Sequence, residues 1–191
     1  MRTVAAALAA RFFDVVLERV LRHYRLSAEI VSRRAALRPT DLVLAVGGGT
    51  GGVSARIAGA VRAVIVLEPN AALIERGRSR FRRSHFARGD GTRLPVRDAS
   101  VDVVLLVEVL HHIPDADAVL GEAARVLRPG GRILIEEVEF AGALGWIARR
   151  FERWLFGGVW PRDREGLCAA LVRVGLRPTV LEEEGFVILA A

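Results

Sequence analysis

The chain has 191 residues, of which 52% are hydrophobic, and this length favours a single domain with a substantial core. No run reaches the ~18 to 20 apolar residues that a membrane-spanning helix needs, so no transmembrane segment is predicted. The net charge of +6 comes from arginine without any lysine. One cysteine, Cys168, excludes an intrachain disulfide, and a cytoplasmic protein is the simplest interpretation.

Helical periodicity covers residues 3 to 37 and stops before Pro39. Small residues near the start faintly resemble a signal peptide. The pattern continues, however, with Leu8, Phe12 and Val15 on one face and Arg11 opposite. We therefore expect a structural helix rather than a cleaved signal.

From Asp41 onward, short β-branched runs alternate with helical segments. The predicted strands are residues 42–46, 63–67, 85–87, 101–106 and 132–138. Strands that are nearly all apolar and are joined by helices predict a parallel sheet covered on both faces.

The C-terminal part departs from this alternation. A helical face ends at Gly175, a residue type typical of helix C-termini. Residues 179–183 and 186–190 then flank Glu184-Gly185, which is the spacing of a hairpin. The last strand is therefore predicted to be antiparallel to its neighbour.

A glycine-rich stretch, residues 43–52, joins the first strand to a helix. Glycine lets the backbone turn sharply and approach a ligand closely. Gly47, Gly49 and Gly52 satisfy the GxGxxG pattern of NAD-binding proteins, whereas Gly47, Gly49 and Gly51 satisfy the GxGxG of methyltransferases. A tight turn without a ligand is the third interpretation.

Glu68 ends the second apolar strand about twenty residues downstream of the first, where a carboxylate can accept hydrogen bonds from both ribose hydroxyls of a nucleoside. This position predicts a nucleoside cofactor. It fits NAD as well as S-adenosylmethionine.

Three further stretches distinguish the two cofactors: residues 87–104, 108–115 and 124–135. They resemble the S-adenosylmethionine methyltransferases typified by ubiquinone and menaquinone biosynthesis C-methyltransferases. The corresponding sequence motifs of that family are roughly GDAxxLPFxDxSFDVV, VLHHxxD and RVLKPGGR. The resemblance spans residues 41–138 and is weaker at both ends.

The resemblance implies a set of cofactor-binding residues. They are Ala45, Val46, Gly47, Gly48, Gly49, Gly51, Glu68, Pro69, Asp90, Gly91, Thr92, Val107 and Glu108. The glycine loop is expected to wrap the methionine part, Glu68 to hold the ribose and Asp90 to accept from the adenine amino group. Glu108 is expected near the reactive methyl, and no metal ligand is predicted.

One position departs from the family, which normally has Asp or Glu where this chain has Ala45. The resemblance implies that such a carboxylate helps to position the cofactor's ammonium group. Its loss predicts weaker cofactor binding, unless backbone carbonyls accept the hydrogen bonds of the ammonium group instead. It is also compatible with a non-catalytic member of the family.

His111 and His112 are the candidate catalytic residues, because histidine titrates near neutral pH and could take a proton from the acceptor. The alternative is that one packs or caps the next helix and the other is solvated. The turn Pro129-Gly130-Gly131 is predicted to stop a helix and to have no chemical role.

We predict an α/β fold: a Rossmann-like three-layer sandwich with a seven-stranded, mostly parallel sheet and an antiparallel C-terminal hairpin strand. Residues 1–191 would form one domain, with an N-terminal helical acceptor-side region (1–40), a cofactor-binding core (41–138) and a variable end (139–191).

The predicted function is methyl transfer from S-adenosylmethionine to a small-molecule acceptor. Residues 140–160 are the most aromatic part of the chain and suit an apolar acceptor, although plain packing is an equal alternative. An NAD-dependent oxidoreductase, a nucleic-acid methyltransferase and a non-catalytic protein remain as rivals. The arginine-rich residues 76–83 are interpreted as a solvated helix end, so nucleic-acid binding is not favoured.

Overall fold

The structure, a computed structural model, describes residues 28–137, 158, 160–182 and 187–191. The predicted helix before residue 28, residue 138, most of the aromatic segment 140–160 and the tip of the C-terminal hairpin lie outside the described residues. Within the described part of the chain, no helix combines the length and the apolar character needed to cross a membrane.

The described elements follow the predicted alternation. In chain order they are α1 (Ala28–Arg34), β1 (Leu42–Val46), α2 (Gly52–Ile57), β2 (Ala63–Glu68), α3 (Ala71–Arg80), β3 (Ser84–Arg88), β4 (Val101–Val107), a 3₁₀ turn (Leu110–His112), α4 (Ala116–Val126), β5 (Leu127–Glu136), α5 (Arg164–Arg173), β6 (Pro178–Glu182) and β7 (Val187–Ala190).

The seven strands form one sheet in the order β3-β2-β1-β4-β5-β7-β6. The pairs from β3 to β5 are parallel, and β7 runs antiparallel to both β5 and β6. This arrangement confirms the predicted fold, including the reversed last strand. The strand order changes direction between β1 and β4, so ligands are expected at the carboxyl ends of these strands.

Alternating side chains of the sheet build two cores, one on each face. Leu44 of β1 packs on one face with Leu120 of α4 and with α5. Val43 and Ala45 point to the other face, where they join Ile57 and helices α1 and α3. The sheet is therefore covered on both sides, as in a three-layer sandwich.

The predicted turn at Pro129-Gly130-Gly131 needs a correction. Helix α4 ends at Val126 and the chain enters β5 directly, so these residues lie within the strand. The register with β4 jumps there, and Gly130 has φ +76. The three residues form a bulge, because the paired sequences around them continue the ladder on both sides.

Candidate cofactor and catalytic site

The predicted cofactor residues converge at one edge of the sheet. β1 leads into the glycine loop, Glu68 ends β2, Asp90 follows β3 and Val107 ends β4. Because these strands are parallel neighbours, their carboxyl ends open into the same crevice.

The glycine loop is fixed by the neighbouring strand. The N–H groups of Gly47 and Gly48 donate to the carbonyl of Leu67, at 2.8 and 3.3 Å. Gly47 has φ +66, and a Cβ there would lie 2.1 Å from Cγ2 of Val109. Only glycine allows both this turn and the close approach of the segment after β4.

The two alternative glycine patterns differ at Gly51 and Gly52, and the structure separates them. Gly51 has φ +79, and a Cβ there would lie 2.7 Å from Phe86, whereas a Cβ on Gly52 would meet nothing within 4 Å. The third glycine of the NAD pattern serves close packing of helix on strand. Gly52 has no such need here, so the geometry favours the GxGxG pattern.

Glu68 is buried and held in place by backbone donors. Its Oε2 accepts from Gly49 N–H at 3.1 Å and its Oε1 accepts from Asn70 N–H at 3.0 Å. Burial raises its pKa above 4.5, against the opposing effect of these two hydrogen bonds. A carboxylate oxygen can accept more than one hydrogen bond, so both oxygens can also receive ribose hydroxyls.

The Asp90 segment is joined to the backbone of Glu68. Gly89 N–H donates to the Glu68 carbonyl at 3.3 Å, and Oδ1 of Asp90 accepts from both the N–H and the hydroxyl of Thr92 at 2.9 Å. A Cβ on Gly91 would lie 3.0 Å from Cγ1 of Val46. A flat ring beside Gly91 would therefore lie close to the end of β1, as expected for adenine.

Pro69 and Ala45 have less direct positions. Pro69 is exposed, and its carbonyl accepts from Arg88 at 3.1 Å. Ala45 is 5% exposed and packs in the core beside Val66, with its Cβ 3.5 Å from where a Cβ of Gly48 would be. A methyl group at position 45 offers no hydrogen-bond acceptor, whereas the carboxylate expected from the family resemblance would.

The chain turns sharply where β4 ends. Glu108 has φ +52, a left-handed conformation that costs non-glycine residues about 1 to 3 kcal/mol. Its N–H donates to the Glu136 carbonyl at 2.8 Å, and Val107 before it is half-buried. The strained turn directs the following 3₁₀ turn across the glycine loop.

His111 forms a buried pair with Glu137, a residue that the sequence reasoning missed. Nδ1 of His111 faces Oε2 of Glu137, and the two residues are 8% and 5% exposed. Oε1 of Glu137 accepts from the N–H groups of Val109 and Leu110, at 3.0 and 2.7 Å. The one available signal was a glutamate at the end of a strand that pairs with β4.

His112 lies against the His111 ring, with centroids 4.0 Å apart. Burial, with a smaller contribution from the charge of His111, lowers the pKa of His112 to about 3. It is therefore neutral at physiological pH and a weak proton acceptor. Of the two candidate bases, His112 is therefore the less suited to accept a proton at physiological pH.

The end of the aromatic segment reaches this turn. Trp160 N–H donates to the His111 carbonyl at 2.7 Å, and its side chain is 39% exposed. On the other side, Arg34 of α1 contacts Glu136 at 2.8 Å. Both segments predicted to lie on the acceptor side thus have a contact at the carboxyl ends of β4 and β5.

Glu108, His111 and Glu137 also bring side-chain N and O atoms within 4.8 Å of one another, a spacing that a metal ion could use. Both oxygens of Glu137 already have hydrogen-bond partners, and an ion would have to displace them. The arrangement is better described as a hydrogen-bonded pair beside Glu108. The predicted absence of a metal site stays a prediction.

Residues 44–135 match the methyltransferase domain family. The matched residues are just under half of the chain, and they include the glycine loop, Glu68, Asp90 and the turn after β4. The Rossmann-like fold predicted from the sequence is confirmed. S-adenosylmethionine is the cofactor that this family match supports.

Several known proteins share this domain. The chain is 35% identical over 130 residues to the demethylmenaquinone methyltransferase of Beutenbergia cavernae, which covers 62% of this chain and 54% of that protein. It is 33% identical over 149 residues to the ubiquinone/menaquinone biosynthesis C-methyltransferase of Rubrivivax gelatinosus, covering 77% and 58%. The YcgJ protein of Bacillus subtilis has a similar structure, with a TM-score of 0.70 and 21% sequence identity. The similar part covers 84% of this chain and 71% of YcgJ.

The matched region spans only a little over half the length of these curated relatives. The similar structure, at 21% identity, shows the fold alone. The activity and the acceptor of the whole protein are therefore proposals.

Proposed function

We propose that this protein is an S-adenosylmethionine-dependent methyltransferase that acts on a small-molecule acceptor. The observation that carries the proposal is the position of Glu68. Its buried carboxylate accepts a hydrogen bond from Gly49 of the glycine loop, and its backbone carbonyl accepts one from Gly89, next to Asp90. This combination provides acceptors for a ribose, a glycine-lined wall for the amino-acid part and a surface at Gly91 for a flat base.

S-adenosylmethionine, when bound, supplies an electrophilic methyl group. The protein's contribution would be to align the acceptor and to exclude water, with a base as an addition. The loop 47–51 would bind the methionine part, Glu68 the ribose, and Asp90 with Gly91 the adenine. Glu108 and Val107 would border the reacting atoms, and His111 would take the acceptor's proton.

We also propose that the acceptor enters near Arg34 and Trp160, because these two residues contact this edge of the sheet. The curated relatives named for demethylmenaquinone and for ubiquinone/menaquinone biosynthesis support a small-molecule acceptor with apolar character. Nucleic acid is not favoured, because the arginines of the 76–83 run lie on and after α3. A cytoplasmic location remains part of this proposal.

Calorimetry with S-adenosylhomocysteine and with NAD tests the cofactor assignment. We expect S-adenosylhomocysteine to bind at least ~10-fold more tightly, a difference of about 1.4 kcal/mol. The reason is that Gly51, rather than Gly52, is the crowded third glycine. Equal or tighter binding of NAD would refute the proposal.

A further inference from the structure

We propose that Arg125 is a positioning residue for cofactor recognition, which holds the segment after β3 where Asp90 can accept a hydrogen bond from the adenine amino group. The inference rests on the proposed methyltransferase function, in which Asp90 meets the adenine. Arg125 lies near the end of α4 and acts through the backbone of this segment. Its effect is on which base the site prefers, and this preference can be measured without any methyl transfer.

The turn that carries Asp90 lies between two attachments to the rest of the fold. On one side, Gly89 N–H donates to the carbonyl of Glu68 at 3.3 Å. On the other side, Leu94 N–H donates to Oε2 of Glu122 on α4 at 2.7 Å. The chain between Asp90 and Leu94 is short, so the second attachment decides where the turn lies.

Arg125 strengthens this second attachment with all of its N–H groups. Nε and Nη2 donate to the two carboxylate oxygens of Glu122, each at 2.7 Å. Nη2 also donates to the Leu94 carbonyl at 3.1 Å, and Nη1 donates to the Val96 carbonyl at 3.0 Å and to Asp98. A guanidinium presents five donors in a planar fork, and each of them has an acceptor here.

Stabilising α4 does not by itself explain this arrangement. An ion pair one turn apart on a helix contributes little to stability, and it needs only the two contacts between Arg125 and Glu122. The other donors of Arg125 go to the segment after β3. The carbonyls of Leu94 and Val96 lie outside the strands, so Arg125 takes the place of a neighbouring strand for them.

The turn held in this way lies against the end of β1. A Cβ on Gly91 would lie 3.0 Å from Cγ1 of Val46 and 3.6 Å from Cγ2 of Val119, which belongs to α4. Oδ1 of Asp90 accepts from the N–H and the hydroxyl of Thr92, so the carboxylate moves with the backbone of the turn. A shift of the turn would therefore move both the wall for the ring and the acceptor for its amino group. Hydrogen bonds weaken steeply when such geometry is lost.

Arg125→Lys tests the proposal with two ligands, because lysine keeps the charge but presents its donors from a single nitrogen. The probes are S-adenosylhomocysteine and S-inosylhomocysteine, in which an oxygen replaces the amino group of the base. We expect the wild-type protein to prefer the adenosyl compound about 10- to 100-fold, the effect of one hydrogen bond to a charged group. In Arg125→Lys this preference should fall at least ~3-fold, and a smaller fall in the folded variant would overturn the proposal.

Arg173→Lys is the matched control. Arg173 of α5 also pairs with α4, through an exposed contact of 3.1 Å to Asp117. The preference for the adenosyl compound should stay at the wild-type value in this variant. Thermal unfolding of the three proteins separates stability from selectivity. If Arg125→Lys lowers the unfolding temperature and weakens both compounds equally, the role of Arg125 is structural and the proposal is wrong.

Hydrogen exchange on the wild-type protein decides the matter even if Arg125→Lys does not fold. The Leu94 amide donates to Glu122 and should be protected before any ligand is added, with little change on binding of S-adenosylhomocysteine. A Leu94 amide that gains its protection only on binding would overturn the proposal, because the ligand would then hold the segment. Failure of both compounds to bind would reject the proposed function as well. Equal binding of the two compounds to the wild-type protein would reject this inference alone.

Discussion

Burial and hydrogen bonding act on Glu68 in opposite directions, and burial dominates, so that its pKa lies above 4.5. Ribose hydroxyls donate hydrogen bonds and therefore prefer the ionised form. Binding of the cofactor should thus lower this pKa again. By linkage, affinity must fall as the pH decreases through the pKa of Glu68 in the ligand-free protein.

We expect S-adenosylhomocysteine to bind less tightly as the pH decreases toward the raised pKa of Glu68 than it does at neutral pH, with Glu68→Ala removing much of this difference. At neutral pH the substitution should weaken binding by about 1–3 kcal/mol, the range for a hydrogen bond to a charged group. Calorimetry across this pH range measures both effects. Glu75→Ala, which removes an exposed glutamate of α3, is the control, and an unchanged dissociation constant in folded Glu68→Ala would exclude the ribose role.

At the scale of elements, the site depends on the contact between the glycine loop and the turn after β4. Gly47 leaves just enough room for Val109, and Glu137, directly after β5, accepts a hydrogen bond from the backbone N–H of Val109. A change in the loop should therefore be transmitted to the 3₁₀ turn and to His111.

Two alanine substitutions in the same loop test this dependence. Gly47→Ala places a methyl group 2.1 Å from Val109 at positive φ, so we expect a loss of about 1–3 kcal/mol in the free energy of unfolding and weaker S-adenosylhomocysteine binding. Gly52→Ala meets open space and should change the free energy of unfolding by at most about 1 kcal/mol. Thermal unfolding and calorimetry compare them. A Gly52→Ala variant that binds as poorly as Gly47→Ala would contradict the GxGxG interpretation.

At the scale of the whole molecule, hydrophobic periodicity predicted the strands well. Runs that are nearly all apolar, such as Val101–Val107 with Asp102 as its one polar residue, are suited to burial on both faces, which made a parallel sheet the expected result. The reversed last strand followed from turn residues between two short runs. Glu68 was predictable because its place at a strand end follows from the same pattern.

Two features could not be read from the sequence, because both depend on pairing between strands. The bulge at Pro129-Gly130-Gly131 arises from the register of β5 against β4, and the residues themselves resemble an ordinary turn. The contact of His111 with Glu137 joins residues 26 positions apart, which follow the neighbouring strands β4 and β5. Only the sheet order brings these two side chains together.

A crystal structure of the protein with S-adenosylhomocysteine tests the central claim most directly. We predict that the two ribose hydroxyls lie within about 2.7–3.2 Å of the Glu68 oxygens, at ordinary hydrogen-bond distance. The adenine should lie beside Gly91, and the amino-acid part should follow the loop 47–51. A ribose directed away from Glu68, or a cofactor bound outside the carboxyl ends of β1, β2 and β4, would contradict the account.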